Sequence, residues 1–211
     1  MTLNTDKGVK ENRIKIWDAY IAQRGLHHRS VKHMFVDYSR YHEAELILRY
    51  FIKNHIDIVN LRVLDYGCGV GDYGIYLLTA GAKQVDFYDF PRAVKFVEYR
   101  LKVRKSKNGK IVDADKDEHP NLSNYNLIIF GEVLEHLYDP LAILKQCDKA
   151  RAKYIFTSAY PYCSEDANES YWSNGDHKPE ARLQIPECRE LLEKNYSFQK
   201  FDGELRLWIR K

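Results

Sequence analysis

The chain has 211 residues, enough to bury the core of one ordinary domain and short for two. Its 33 Lys and Arg nearly balance 30 Asp and Glu, so the formal charge of +3 supplies no strong field for gathering nucleic acid. The opening MTLNTDKGVKENRIKIW is polar where a secretion signal is apolar, and no apolar stretch reaches the roughly 18 residues of a spanning helix; a soluble cytoplasmic protein with a small-molecule partner, and neither a nucleic-acid nor a membrane partner, is expected.

Residues 1–12 are polar. From Arg13 to Arg24 the apolar positions Ile14, Trp17, Tyr20 and Ile21 recur at helical spacing, and Ser39 is placed to cap a second helix carrying Ala44, Leu46, Ile47, Tyr50 and Phe51. Residues 1–60 therefore read as a helical flank or lid to a domain over residues 61–211, the whole forming one compact body. Short apolar runs then alternate with longer amphipathic ones. Strands are expected at Arg62 to Tyr66, Gln84 to Asp89, Lys110 to Ala114 (weakly), Leu127 to Phe130 and Tyr154 to Ser158, with helices between most of them. Near-continuous apolar runs such as LIIF suit parallel strands covered on both faces, and alternating β and α units imply a doubly wound parallel sheet. YSFQKF and ELRLWIR, separated by a few residues around Gly203, form a hairpin signal that sets an antiparallel pair at the sheet edge. Cys68, Cys147, Cys163 and Cys188 are scattered without a CxxC pair and read as reduced thiols.

The most informative stretch is VLDYGCGVGDYGIYLL, residues 63–78. A buried strand runs into Gly67, Gly69 and Gly71, which let the chain turn tightly while a ligand lies against bare backbone, and an amphipathic helix follows from Asp72. Free N–H groups at a helix start favour an anionic group there. Eighteen residues beyond Gly71 the second strand ends at Asp89, where a carboxylate can accept hydrogen bonds from ribose hydroxyls. Turn and distant acid together describe a nucleoside site; the alternative is a tight βα turn with nothing bound.

The glycines stand two residues apart, unlike the dinucleotide pattern G-x-G-x-x-G, and DYGCGVG resembles the first motif of class I S-adenosylmethionine-dependent methyltransferases. GEVLEHLYDP, residues 131–140, is similar to the segment after the fourth strand in the small methyltransferases that include the ubiquinone-biosynthesis type. The resemblance implies an α/β, Rossmann-like fold: a seven-stranded, mostly parallel sheet with an antiparallel C-terminal hairpin, in three αβα layers. It implies S-adenosyl-L-methionine as cofactor and S-adenosyl-L-homocysteine as product. Asp65 and the turn Gly67, Cys68, Gly69 and Gly71 would hold the methionine part, and Asp89 the ribose. Phe90 would flank the adenine, Asp113 or Asp115 would meet its amino group, and Glu132 would lie beside the cofactor. One departure from the family pattern is Asn126, which stands where an aspartate commonly opens the fourth strand.

If a helix has begun by Glu132, then Glu132, Glu135 and His136 share one face, a spacing that suits a divalent metal. With His177 in the DHK stretch this resembles the metal-dependent methyltransferases of RNA 3′-terminal ribose 2′-oxygens, although the family's doubled histidine is replaced by Leu137; a metal is not expected. His136, His177 and Glu135 are the candidate bases for an alcohol acceptor. The loop SAYPYCSEDANESYWSNGDHKPEARLQIPE is long and aromatic, which favours a cover over a substrate. Tyr160, Tyr162 and Trp172 are its candidate acceptor contacts, joined by Tyr41 from the segment before the first strand. Methyl transfer to an O or N atom of a polar small molecule, a sugar or a biosynthetic intermediate, is the leading expectation. The RNA enzyme and a catalytically silent module of the same fold are the alternatives.

Overall fold

A computed structural model describes residues 39–117, 119–158, 160–161, 178–201 and 205–211. Apart from Ser39 and Arg40 these fall in one compact unit, Tyr41–Lys211. The helix expected at Arg13 to Arg24 and the tip of the C-terminal hairpin lie outside the described residues.

Seven strands form one sheet: β1 (Arg62–Tyr66), β2 (Gln84–Asp89), β3 (Gly109–Asp113), β4 (Leu127–Phe130), β5 (Tyr154–Thr157), β6 (Tyr196–Lys200) and β7 (Arg206–Arg210), in the order β3-β2-β1-β4-β5-β7-β6. The first five run parallel, and β7 lies antiparallel between β5 and β6. The bounds of β1, β2 and β4 coincide with those expected. β3 begins and ends one residue earlier and β5 ends one residue earlier, differences of the size that separate strand-end assignments.

Strand residues point alternately to the two faces, and the core divides accordingly. Val63, Val85, Phe87, Leu127, Ile129 and Phe156 face α1 (Ser39–Lys53), α2 (Asp72–Thr79) and α3 (Pro91–Val103). Leu64, Ile128, Phe130, Ile155 and Trp208 face α4 (Pro140–Lys149), α5 (Pro179–Leu183) and α6 (Ile185–Asn195). The result is the expected three-layer arrangement. Ser39 is the first residue of α1, and this helix sends Ala44, Ile47 and Phe51 into the first core cluster with no exposed surface. At the open edge, Ser197, Phe198, Gln199 and Lys200 of β6 are exposed, a mostly polar set that discourages pairing with another chain. No helix among the described residues is long and apolar enough to cross a membrane.

Asn126 fills the place of the family aspartate by serving as an acceptor. Its Oδ1 takes the N–H of Arg62 at 2.9 Å, while its main chain bonds to Arg62 O and Tyr154 N. The start of β4 is thereby tied to both neighbouring strands without a charge.

A buried ion pair fixes the segment between β1 and α2. Arg100 of α3 donates through Nη1 to Asp72 Oδ1 at 2.7 Å and to the carbonyl of Val70, and through Nη2 to Tyr41 Oη at 2.7 Å. The two charged side chains are 7% and 0% exposed. Breaking a buried pair leaves the remaining charge in low dielectric, which costs about 3–5 kcal/mol. Arg100→Met is therefore expected to lower unfolding free energy by about that amount in chemical denaturation, with the double variant Arg100→Met/Asp72→Leu recovering much of the loss.

Candidate active site

The strand order reverses direction at β1, which pairs with β2 on one side and β4 on the other. In open α/β sheets such a switch point leaves a crevice beyond the carboxyl ends of the strands. Here the crevice has a volume of about 620 Å³ and draws its walls from the tip of β1 (Tyr66, Gly67), the tip of β2 (Tyr88, Asp89, Phe90), Ala114 after β3, and residues beyond β4.

The glycine turn forms because side chains are excluded from it. Gly67, Gly69 and Gly71 have φ of 65°, 53° and 77°, values that residues with a Cβ rarely adopt. A Cβ on Gly67 would also stand 2.6 Å from Val133 Cγ2, so this glycine sets how closely the turn approaches the segment after β4. The neighbouring strand holds the turn: Tyr88 O accepts the N–H groups of Gly67 (2.8 Å) and Cys68 (3.1 Å), and Asp89 Oδ2 accepts the N–H of Gly69 at 2.7 Å. Asp89 Oδ1 accepts the N–H of Phe90 at 2.7 Å. Burial raises the pKa of this carboxyl above the ordinary aspartate value, and the two N–H donors oppose that shift.

Asp65 lies behind the turn. It is 1% exposed, its Oδ2 accepts the N–H of Gly74 at 3.0 Å, and it is not among the lining residues. Cys68 is buried beside it. Burial, then the nearby carboxylates of Asp65 and Asp89, push its thiol well above the usual range, so it stays protonated. Cys147 and Cys188 are likewise buried and free, and Cys163 lies outside the described residues.

The segment after β4 departs from the conditional expectation of a helix starting at Glu132. A three-residue 3-10 turn, Leu134–His136, is all the helix there is before Asp139, whose side chain accepts the N–H of Ala142 at 2.9 Å and starts α4 with Pro140 in its first turn. Asp-Pro is a strong start signal, so the helix begins after the motif and not within it. Glu132 sits in the left-handed region at φ 57°, exposed, with its N–H donated to Ser158 Oγ at 2.7 Å. A non-glycine residue held there stores strain of a kind that concentrates at functional sites. Glu132 and His136 line the crevice, whereas Glu135 is 1% exposed and turns into the protein. The common face of Glu132, Glu135 and His136 is thus not formed. Among the described residues no group of three His, Cys, Asp or Glu is placed to share a metal ion.

The other expected contacts are dispersed. Tyr41 is engaged by Arg100, and its ring lies 6.0 Å from that of Tyr76. Tyr160 is a core residue, 1% exposed, its hydroxyl donating to Ala181 O at 2.9 Å. Neither lines the crevice. Asp115 is exposed and donates its N–H to Asp113 Oδ1 at 3.1 Å, while Ala114 between them does line it. Tyr162, Trp172 and His177 lie outside the described residues.

Tyr66, Tyr88, Val133, Leu137, Tyr138 and Lys178 line the crevice without having been singled out. Tyr66 and Tyr88 are register partners whose rings lie 4.8 Å apart. Strand alternation, which sets Tyr66 opposite Asp65, is the signal that would have found them. Lys178 closes the quoted DHK stretch, and its N–H is donated to Glu135 O at 2.9 Å.

A family model for the methyltransferase domain matches residues 31–173. Two curated ubiquinone biosynthesis O-methyltransferases are similar to the chain. That of Idiomarina loihiensis is 32% identical over 111 residues, covering 47% of this chain and 42% of the relative. That of Aliivibrio fischeri is 27% identical over 106 residues, covering 49% and 45%. The chain thus spans less than half the length of the curated relatives it matches. Among solved structures, magnesium protoporphyrin IX methyltransferase from Synechocystis PCC 6803 with bound SAH superposes with a TM-score of 0.59 at 16% identity, over 98% of this chain and all of that one. The chain belongs to the methyltransferase-domain family and has the Rossmann-like fold of class I S-adenosylmethionine-dependent methyltransferases.

Proposed function

We propose that the chain transfers a methyl group from S-adenosylmethionine to an oxygen or nitrogen atom of a polar small molecule, a sugar or a biosynthetic intermediate. The observation that carries this reading is the crevice of about 620 Å³ at the sheet's switch point, with bare backbone at Gly67 on one wall and the carboxylate of Asp89 on the next. These residues fit the cofactor. Asp89 would accept from the ribose hydroxyls, the turn from Gly67 to Gly71 would face the methionine part, and Phe90 and Ala114 would border the adenine. The two curated relatives are named as O-methyltransferases, which favours oxygen as the acceptor atom.

The bound cofactor supplies a methyl group on a sulfonium, a good leaving group already installed. What the protein adds is alignment, which in well-oriented reactions corresponds to about 7–11 kcal/mol of barrier. For an alcohol acceptor a proton must also leave, and His136, half-exposed on the crevice wall, is the candidate base.

Calorimetric titration with S-adenosylmethionine and S-adenosylhomocysteine tests the reading: saturable binding of both is expected, and their failure to bind would refute it. Asp89→Ala is expected to weaken binding about 10- to 100-fold, the loss of hydrogen bonds to a charged group. Because burial holds this carboxyl above the ordinary aspartate value, affinity is expected to fall on acidification before exposed aspartates titrate, and Asp89→Asn should remove that limb. The sign separates binding from folding. A carboxyl whose folded pKa exceeds its unfolded one favours the folded state as pH drops, so in this window the affinity declines while the contribution of Asp89 to stability does not.

With an alcohol acceptor, His136→Ala is expected to lower kcat by about 10²- to 10⁴-fold, the usual worth of a general base. Cofactor affinity, read by the same titration, should stay as in the wild type.

A further inference from the structure

We infer that Lys178 reads an anionic group, a carboxylate or a phosphate, on the methyl acceptor. The inference deepens the methyltransferase reading and rests on it. Among the described residues that line the crevice, Lys178 is the one lysine or arginine, beside the acids Asp89 and Glu132 and the imidazole of His136. Its main chain is fixed to the turn after β4 by the bond to Glu135 O at 2.9 Å, so the cation belongs to the same wall as His136. Its ammonium lies 4.7 Å from the ring centroid of Tyr138, a residue 67% exposed, and among the described residues no carboxylate forms an ion pair with it. A ring face holds an ammonium weakly beside an ionised partner and leaves it available to one.

The charge of the first ligand makes this cation informative. S-adenosylmethionine carries a sulfonium and an ammonium against one carboxylate, and a lysine on the same wall opposes that net positive charge through like-charge repulsion. Asp89 and Glu132 have the sign that suits the cofactor; Lys178 has the opposite one. A cation on the acceptor's side of such a site is useful to a second ligand that is itself negative. That ligand would also offset the repulsion and guide its own approach. A compact ammonium accepts carboxylate and phosphate alike, as a point charge without the paired geometry of arginine.

The test uses benzoate and phenyl phosphate as anionic probes and benzyl alcohol as their neutral counterpart. Each is titrated into the S-adenosylhomocysteine-loaded wild type, Lys178→Met and Lys178→Arg. At least one anion is expected to bind about tenfold or more tightly than benzyl alcohol, and the stronger of the two identifies the group read. Lys178→Met should weaken that anion about 10- to 100-fold, while Lys178→Arg stays within a few fold. Benzyl alcohol and S-adenosylhomocysteine should bind all three proteins alike, and added salt should weaken the anion selectively. Anions that bind no better than benzyl alcohol, or that bind Lys178→Met as they bind the wild type, overturn the inference. So does a parallel loss of S-adenosylhomocysteine in Lys178→Met, which would assign the lysine to the cofactor. A wild type that binds no S-adenosylhomocysteine refutes the methyltransferase reading itself, and that outcome is read in a separate titration from the anions.

Discussion

The tip of β2 holds the tip of β1 with side chain and main chain together. Asp89 takes the N–H of Gly69, Tyr88 takes those of Gly67 and Cys68, and a turn in which only Cys68 and Val70 have side chains to pack is thereby fixed in position. Glycine is the residue that loses most freedom on ordering, so an unrestrained run of three would stay mobile. The opposite end of the segment is held from α3, where Arg100 binds Val70 O and Asp72. At the first of these two anchors the bare backbone of Gly67 faces the crevice, while the rest of the turn is buried behind it.

The acids around the site separate into two kinds. Asp65, Asp72 and Asp86 are buried and bonded to Gly74 N, Arg100, and Tyr125 with Gln84, respectively. They hold loops and helix starts in place, each with its desolvation offset by a partner. Asp89 and Glu132 face the cavity. A buried carboxylate among apolar neighbours is expensive, and the first group is tolerated because every member has a donor within hydrogen-bond reach. The same distribution keeps Cys68 a thiol, since burial and two nearby carboxylates act on it in one direction.

Most of the fold was legible because strand runs such as LIIF and the glycine turn are local signals: three strands have the expected bounds, and the parallel order with its antiparallel edge followed from the spacing of elements. Of the crevice lining, Gly67, Asp89, Phe90, Glu132 and His136 were legible, because there chemistry and position coincide. It was not legible where a residue's fate depends on distant partners. Tyr41 and Tyr160 carry the right side chains for a pocket, yet Arg100, 59 residues away, engages the first and Ala181 the second. The spacing of Glu132, Glu135 and His136 suggested a shared face, but the start signal in Asp139 and Pro140 delays the helix, so the three do not share one. Tyr66 and Tyr88 were overlooked because each precedes a residue whose chemistry is more conspicuous.

The place of β7 bears on how the chain matures. It follows β6 in the sequence but is inserted between β5 and β6, pairing Thr157 with Arg206 on one side and Lys200 with Arg206 on the other. During synthesis the apolar β5, YIFT, therefore has an open flank until Arg206–Arg210 has left the ribosome. An unpaired apolar flank is a template for association with other nascent chains. Trp208, fully buried and donating to Thr157 Oγ1 at 3.1 Å, is the side chain that seals this flank. Closure of the sheet thus waits for the last of its seven strands in chain order, and a chain stalled before it would expose a sticky strand whatever the state of its cofactor crevice.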